Sequence, residues 1–242
     1  MRRCVRLLAA LCLAALPLAV GAPAAQARAH HAQPVVVELF TAQGCSSCVA
    51  ADGVFDALAK RPGVLALTLA VDYWDYLGWA DTFARPEYTA RQRAYMQRLA
   101  VREVYTPQVV VDGKGQASGA DQAKVDALIT QAARSKAASP PISFSRRGRV
   151  QVGAGRAPVG GADVWLLRYD PGVQEVAVKR GENRGATLTQ RNVVRQLVRL
   201  GGWYGKPRAY LAPPPPTGAA ELKVAVLVQA KNGGRILGVA PH

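Results

Sequence analysis

Val35-Val36-Val37-Glu38-Leu39-Phe40-Thr41-Ala42-Gln43-Gly44-Cys45-Ser46-Ser47-Cys48 is the stretch from which the rest of the chain is read. Its apolar, β-branched start is too short for a helix and predicts a buried central strand, and Thr41 to Gly44 predicts a turn that delivers Cys45 to the start of a helix. Free backbone N–H groups and the positive end of a helix dipole stabilise a thiolate there, lowering a cysteine pKa from about 8.5 to roughly 3.5–7.5. Cys45 is therefore the expected nucleophile, partly exposed. Cys48, one turn further on the same face, is expected to be more buried and can close a disulfide with it.

Two plainer readings of Cys-Ser-Ser-Cys are half of a zinc site and a structural bridge. Zinc needs about four ligands. Outside the leader described below, the chain has no second cysteine pair, and its three histidines, His30, His31 and His242, lie at the ends. No metal and no cofactor are expected. A copper-handling role is weaker still, since Met96 is the one methionine left after the leader. Redox chemistry is preferred, with the structural bridge as its alternative.

Met1 to Ala27 has the form of a signal peptide: Arg2, Arg3 and Arg6, an apolar run from Leu7 to Val20, and a small-residue site at Ala25-Gln26-Ala27. Cleavage after Ala27 is expected to leave a periplasmic or secreted protein with no integral membrane segment. It would also remove Cys4 and Cys12, leaving Cys45 and Cys48 as the only thiols in an oxidising compartment. Of 242 residues half are hydrophobic, enough for one large domain or two small ones. The net charge of +15 includes the leader arginines, and the remaining arginines are scattered. That pattern predicts a solvated basic surface and no nucleic-acid binding.

Downstream of Cys48, helical spacing runs from Val49 to Lys60, with Val54, Phe55 and Leu58 on one side and Asp52, Asp56 and Lys60 around the rest. Val64 to Val71 reads as a second buried strand, and Asp72 to Trp79 as an aromatic loop. A helix over Glu87 to Val101, a strand over Gln108 to Asp112, a turn at Gly113 to Gly115 and a helix from about Asp121 to Ser135 follow. Ala137 to Pro141 is a linker by composition. Beyond it alternation dominates, in Ala162 to Tyr169, Val173 to Val178, Leu222 to Gln229 and Arg235 to Ala240, with turns at Asp170 to Gly172, Gly181 to Gly185 and Asn232 to Gly234. Asn192 to Leu200 is assigned to a strand as well. The expected architecture is an α/β domain over 28–136 followed by a sandwich-like all-β subdomain over 142–242.

Leu99-Ala100-Val101-Arg102-Glu103-Val104-Tyr105-Thr106-Pro107-Gln108-Val109-Val110-Val111-Asp112-Gly113 resembles the part of thioredoxins where a helix end leads through a cis-proline into a β-hairpin. Glu38 to Thr41 is similar to the first strand of glutaredoxins and thioredoxins. With the Tyr73 to Trp79 loop and Arg91 to Tyr95, nearly the whole chain after the leader resembles a family of exported bacterial thioredoxin-like proteins catalogued as a domain of unknown function. Members usually carry Pro after the second cysteine, where this chain has Val49. The resemblance implies a thioredoxin-like first domain and a cis Thr106–Pro107 bond, with the Thr106 backbone free to dock an extended substrate strand.

Two further features complete the expected site. Glu38, in so apolar a strand, is either at an edge facing water or buried beneath the cysteines, where it can accept the proton of Cys48. Trp74, Tyr76 and Trp79 either rim the site for protein substrates or cap a core. Together these residues predict an exported thiol-disulfide oxidoreductase that exchanges disulfides with protein partners. The alternative is a non-enzymatic accessory or partner-binding protein whose Cys45–Cys48 bridge is structural or redox-sensing.

Overall fold

The computed structural model describes residues 33–135, 138–145, 148–217 and 221–242. The leader, with Cys4 and Cys12, lies outside them, as do Arg146 and Arg147. In chain order the first half forms β1 (Val35–Thr41), α1 (Cys48–Ala59), β2 (Val64–Ala70), α2 (Pro86–Arg98), β3 (Gln108–Val111), β4 (Gly115–Ser118) and α3 (Gln122–Arg134). The second half forms β5 (Ile142–Phe144), β6 (Arg149–Val152), β7 (Ala162–Ala177), β8 (Thr187–Trp203), β9 (Arg208–Leu211), β10 (Lys223–Ala230) and β11 (Ile236–Pro241).

β1 pairs in parallel with β2 and antiparallel with β3, and every one of its residues is buried. Successive side chains of a strand point to opposite faces. Val35, Val37 and Leu39 therefore pack with Phe55 and Leu58 of α1 and with Val125 and Ile129 of α3. Val36 and Phe40 pack on the other face with Leu67, Leu69 and two α2 tyrosines, Tyr88 and Tyr95. A strand covered on both sides needs an unbroken apolar run, which is what Val35 to Phe40 supplies apart from Glu38.

The protein has a mixed α/β architecture with one large sheet, ordered β11-β10-β7-β8-β2-β1-β3-β4, and a small antiparallel sheet, β5-β6-β9. The C-terminal strands thus do not form a sandwich of their own. β7, β8, β10 and β11 continue the sheet begun by β1 and β2, because β2 otherwise ends the first half on an unpaired edge, which favours strand addition. The joint is the parallel pairing of Thr68 with Val193. Side chains stitch it on either side: Thr68 Oγ1 donates to Arg191 O (2.7 Å) and Asn192 Nδ2 to Ala66 O (2.8 Å). Sandwich-like packing does occur, with the small sheet as one layer and the extension as the other. Val150, Val152 and Tyr210 meet Val164, Leu166, Val226, Val228 and the fully buried Trp203 there.

Asp170-Pro171-Gly172 does not end a strand. It is a bulge within β7, where the register against β8 shifts between Asp170 and Val173 and Asp170 Oδ1 accepts the Gly172 N–H (2.9 Å). The side chain replaces a lost ladder bond, so the strand survives its proline. Gly115, read as the end of a turn, begins β4. Both long strands, β7 and β8, continue until their connecting turn at 178–186 reaches the cysteine end of β1.

Candidate functional site

Cys45 and Cys48 are joined in a disulfide, with their Cα atoms 5.4 Å apart. The helix begins at Cys48, so Cys45 stands in the turn before it: its N–H donates to Ala42 O (3.1 Å) and its carbonyl accepts from Cys48 N (3.2 Å). The expected difference in exposure between the cysteines does not exist. Cys45 is 0 % exposed and Cys48 1 %, because residues from three distant segments close over the turn.

The first is the loop before β3. Its Thr106–Pro107 bond is cis, and Thr106 Oγ1 donates to Cys45 Sγ (3.2 Å) while accepting from Trp74 Nε1 (2.8 Å). Ser47 Oγ approaches the same sulfur at 3.3 Å. The second is the aromatic loop, which treats its three rim candidates differently. Trp74 reaches the sulfur through Thr106, and Trp79 Nε1 donates to Gln43 Oε1 (2.9 Å), two residues before Cys45. Tyr76 points outward, 79 % exposed. The third is the 178–186 turn, where Ser46 N and Oγ donate to Glu182 Oε2 (3.1 and 2.8 Å) and Asn183 Nδ2 donates to Gln43 O and Cys45 O (2.9 and 3.0 Å). No sequence signal pointed to Glu182 or Asn183, since more than 130 positions separate them from the motif.

Glu38 is fully buried, so the water-facing edge reading is corrected. Arg91 Nε donates to its Oε1 (2.6 Å), Arg91 Nη2 to its Oε2 (3.2 Å), and the Tyr95 hydroxyl also donates to Oε2. Gln229 of β10 closes the group, accepting from Arg91 Nη1 and donating to Tyr95 Oη, each at 3.0 Å. Burial pushes the Tyr95 phenol well above its usual range, so it remains a donor. Both oxygens of Glu38 are thus held by α2, and the carboxylate serves an ion pair that ties β1, α2 and β10 together.

A different carboxylate is the unmatched one. Asp52 follows Cys48 by one helical turn, and the sequence placed it on the outer side of α1, yet it is buried, with Oδ1 lacking any protein hydrogen-bond partner. Burial pushes its carboxyl up to about 7, and the nearby Asp81 adds to the rise. Asp81 is itself raised by burial while its carboxylate accepts from the Gln43 and Phe83 N–H groups (2.7 and 2.8 Å). An aspartate at the i+4 position from a buried cysteine was the available signal. Among the described residues no cluster of three or more His, Cys, Asp or Glu side chains is arranged to hold a metal ion, and no helix is long and apolar enough to cross a membrane.

Residues 36–229 match the family described as protein of unknown function (DUF1223). The chain belongs to this family. A crystal structure of an Agrobacterium tumefaciens protein, solved by a structural genomics consortium, is 31% identical, covers 88% of this chain and 95% of its own, and superposes with a TM-score of 0.69. HBP35 of Porphyromonas gingivalis, at 12% identity, shares the fold with a TM-score of 0.57 over 87% of this chain and 74% of its own. No curated protein matches. The DUF1223 match ends at Gln229, the residue that completes the Glu38–Arg91 group, so the family region contains both that group and the hairpin tip over the cysteines.

Proposed function

We propose that this DUF1223 protein is an exported thiol-disulfide oxidoreductase of thioredoxin-like architecture that exchanges disulfides with protein partners through Cys45 and Cys48. The observation that carries the reading is the Cys45–Cys48 pair at the head of α1, with Thr106 Oγ1 donating to the Cys45 sulfur. A donor at that distance supports a thiolate on the same sulfur once the disulfide is opened. Export rests on the form of Met1 to Ala27.

In the reduced protein the Cys45 thiolate attacks one sulfur of a partner disulfide. A Cys45–partner bond forms, the partner's S–S bond breaks, and its second sulfur leaves as a thiolate that takes up a proton. Cys48 then loses its proton and attacks the Cys45 sulfur, closing the internal disulfide and releasing the partner's first sulfur. Two electrons pass to the partner, whose two sulfurs take up one proton lost by Cys48 and one from solvent; the reverse sequence oxidises a partner dithiol. Asp52 lies one helical turn beyond Cys48 and burial pushes its carboxyl up to about 7, which supports giving it the exchange of the Cys48 proton, the part the sequence assigned to Glu38. The Thr106 backbone is the docking edge for a partner strand, with Trp74 beside it.

A Cys48→Ala variant lacks the resolving thiol and is expected to accumulate mixed disulfides through Cys45 when incubated with a disulfide-bonded protein. Adducts with Cys45→Ala instead would reverse the two roles, and adducts with neither would remove the enzyme reading. The burial of both cysteines favours a second reading, a partner-binding protein with a stabilising bridge. In that case reducing the bridge lowers thermal stability and no exchange is seen.

A further inference from the structure

The turn joining β7 to β8 is wedged between two loops of the first half. On one side Glu182 and Asn183 bond to the Gln43–Ser46 segment. On the other, Gly181 packs against the aromatic loop, where a Cβ would meet the Trp79 Cβ at 3.6 Å, an ordinary van der Waals contact. Gly181 and Gly185 both adopt positive φ (+78° and +85°), which lets so tight a tip form. Asn183 is buried, and its one amide nitrogen serves two carbonyls of the cysteine turn.

These contacts act on the groups that govern a thiol at this position. Ser46 directly precedes Ser47, the residue that caps α1, so its N–H and hydroxyl lie in the link between the two cysteines. Here a carboxylate occupies both. Donation by the Ser46 N–H and hydroxyl holds the Glu182 carboxyl below its usual range, so the carboxylate is charged at neutral pH. Negative charge beside a thiol disfavours the thiolate. Asn183 in turn fixes the Gln43 and Cys45 carbonyls, and so the turn that has to shift before a fully buried sulfur can meet an attacking group.

We propose that Glu182 and Asn183 are positioning residues that set the reactivity of Cys45 from the far half of the chain, Glu182 by taking the Ser46 donors and Asn183 by holding the turn shut. The inference rests on Cys45 being the reactive thiol of the proposed exchange. Other charged groups around the site are Asp52 on α1, Asp75 on the aromatic loop, Asp81 just after it, and Lys179, Arg180 and Arg184 on the tip itself. All are common to the parent and the variants below.

The test uses the full chain, reduced, with iodoacetamide alkylation of Cys45 followed from pH 4 to 10 in the parent, Glu182→Gln and Asn183→Ala. Glu182→Gln, at an exposed residue, is expected to move the midpoint to lower pH and to speed alkylation at pH 6 severalfold. Asn183→Ala is expected to speed dithiothreitol reduction of the oxidised protein severalfold. Glu182→Asp, which keeps the charge, should stay closer to the parent midpoint than Glu182→Gln. Parent midpoints and parent reduction rates in all variants would overturn the proposal, and an unchanged Glu182→Gln midpoint does so even where Asn183→Ala fails to fold. Shifts in the variants with no exchange between the parent and protein disulfides would sink the oxidoreductase reading and leave this one standing. Exchange in the parent with no shifts would do the reverse.

Discussion

Two buried carboxylates near the head of the sheet meet opposite fates, and the difference lies in what surrounds each. Glu38 has a guanidinium and a phenol on its oxygens, so its charge is matched inside the core. Asp52 has an unpartnered oxygen and another aspartate in range. Its folded carboxyl keeps a proton up to about pH 7, whereas the unfolded carboxyl releases it near the ordinary value of 3.8. Between those limits the folded state binds more protons, so this residue's contribution to stability falls as pH rises and reaches its full penalty above pH 7. Asp52→Asn is therefore expected to be close to neutral at pH 4 and stabilising at pH 8, on the order of 1–3 kcal/mol, the usual cost of an unmatched buried polar group. Urea unfolding of both proteins across that range measures it. A gap between them that does not change with pH would mean that folding does not raise the Asp52 carboxyl.

At the scale of elements, the second half docks onto the first through turns more than through ladders. The 178–186 turn covers the cysteines, and the turn between β10 and β11 seats on α2. Gly233, with φ +65°, makes that second contact possible: a Cβ on it would lie 2.7 Å from the carbonyl carbon and oxygen of Ala94, backbone atoms that cannot swing aside. Gly233→Ala combines that clash with a left-handed backbone, and each carries a cost of about 1 kcal/mol or more. The variant should unfold at a lower urea concentration than the parent with an unchanged slope. Gly53→Ala, on α1 with open space around it, is the matched control and should be neutral or slightly stabilising, since alanine favours a helix by about 1 kcal/mol.

For the whole molecule, the large sheet makes the two halves one folding problem. The core on the α2 face draws Leu167, Tyr169, Val194, Leu197, Leu227 and Val239 from the second half, and the Glu38–Arg91 group needs Gln229. A chain ending at Ser135 would expose the outer edge of β2 and strip that face. It is expected to show no cooperative unfolding transition when followed by the fluorescence of Trp74 and Trp79. A fragment that unfolds cooperatively near the parent midpoint would make the first half an independent domain.

The local elements and the chemistry-bearing pair are legible along the chain alone. An unbroken apolar run is what a two-face-buried strand demands, and the Val35–Thr41 strand followed by Cys45 and Cys48 is local along the chain. The same holds for the helices near 48–59, 86–98 and 122–134, read from spacing, and for the turn at Gly181 to Gly185, read from glycine. The remaining features depend on long-range pairing. Nothing in Thr68 or Asn192 alone says that β8 adds to β2, because strand alternation specifies a buried face and not a neighbour. The accommodation of Pro171 inside β7 depends on the Asp170 carboxylate reaching the Gly172 N–H, a local bond that matters only because β8 runs alongside. The burial of Cys45 and the pairing of Glu38 with Arg91 follow from the same cause. Each is set by side chains 50 to 140 positions away, brought in by a sheet order that no local pattern encodes.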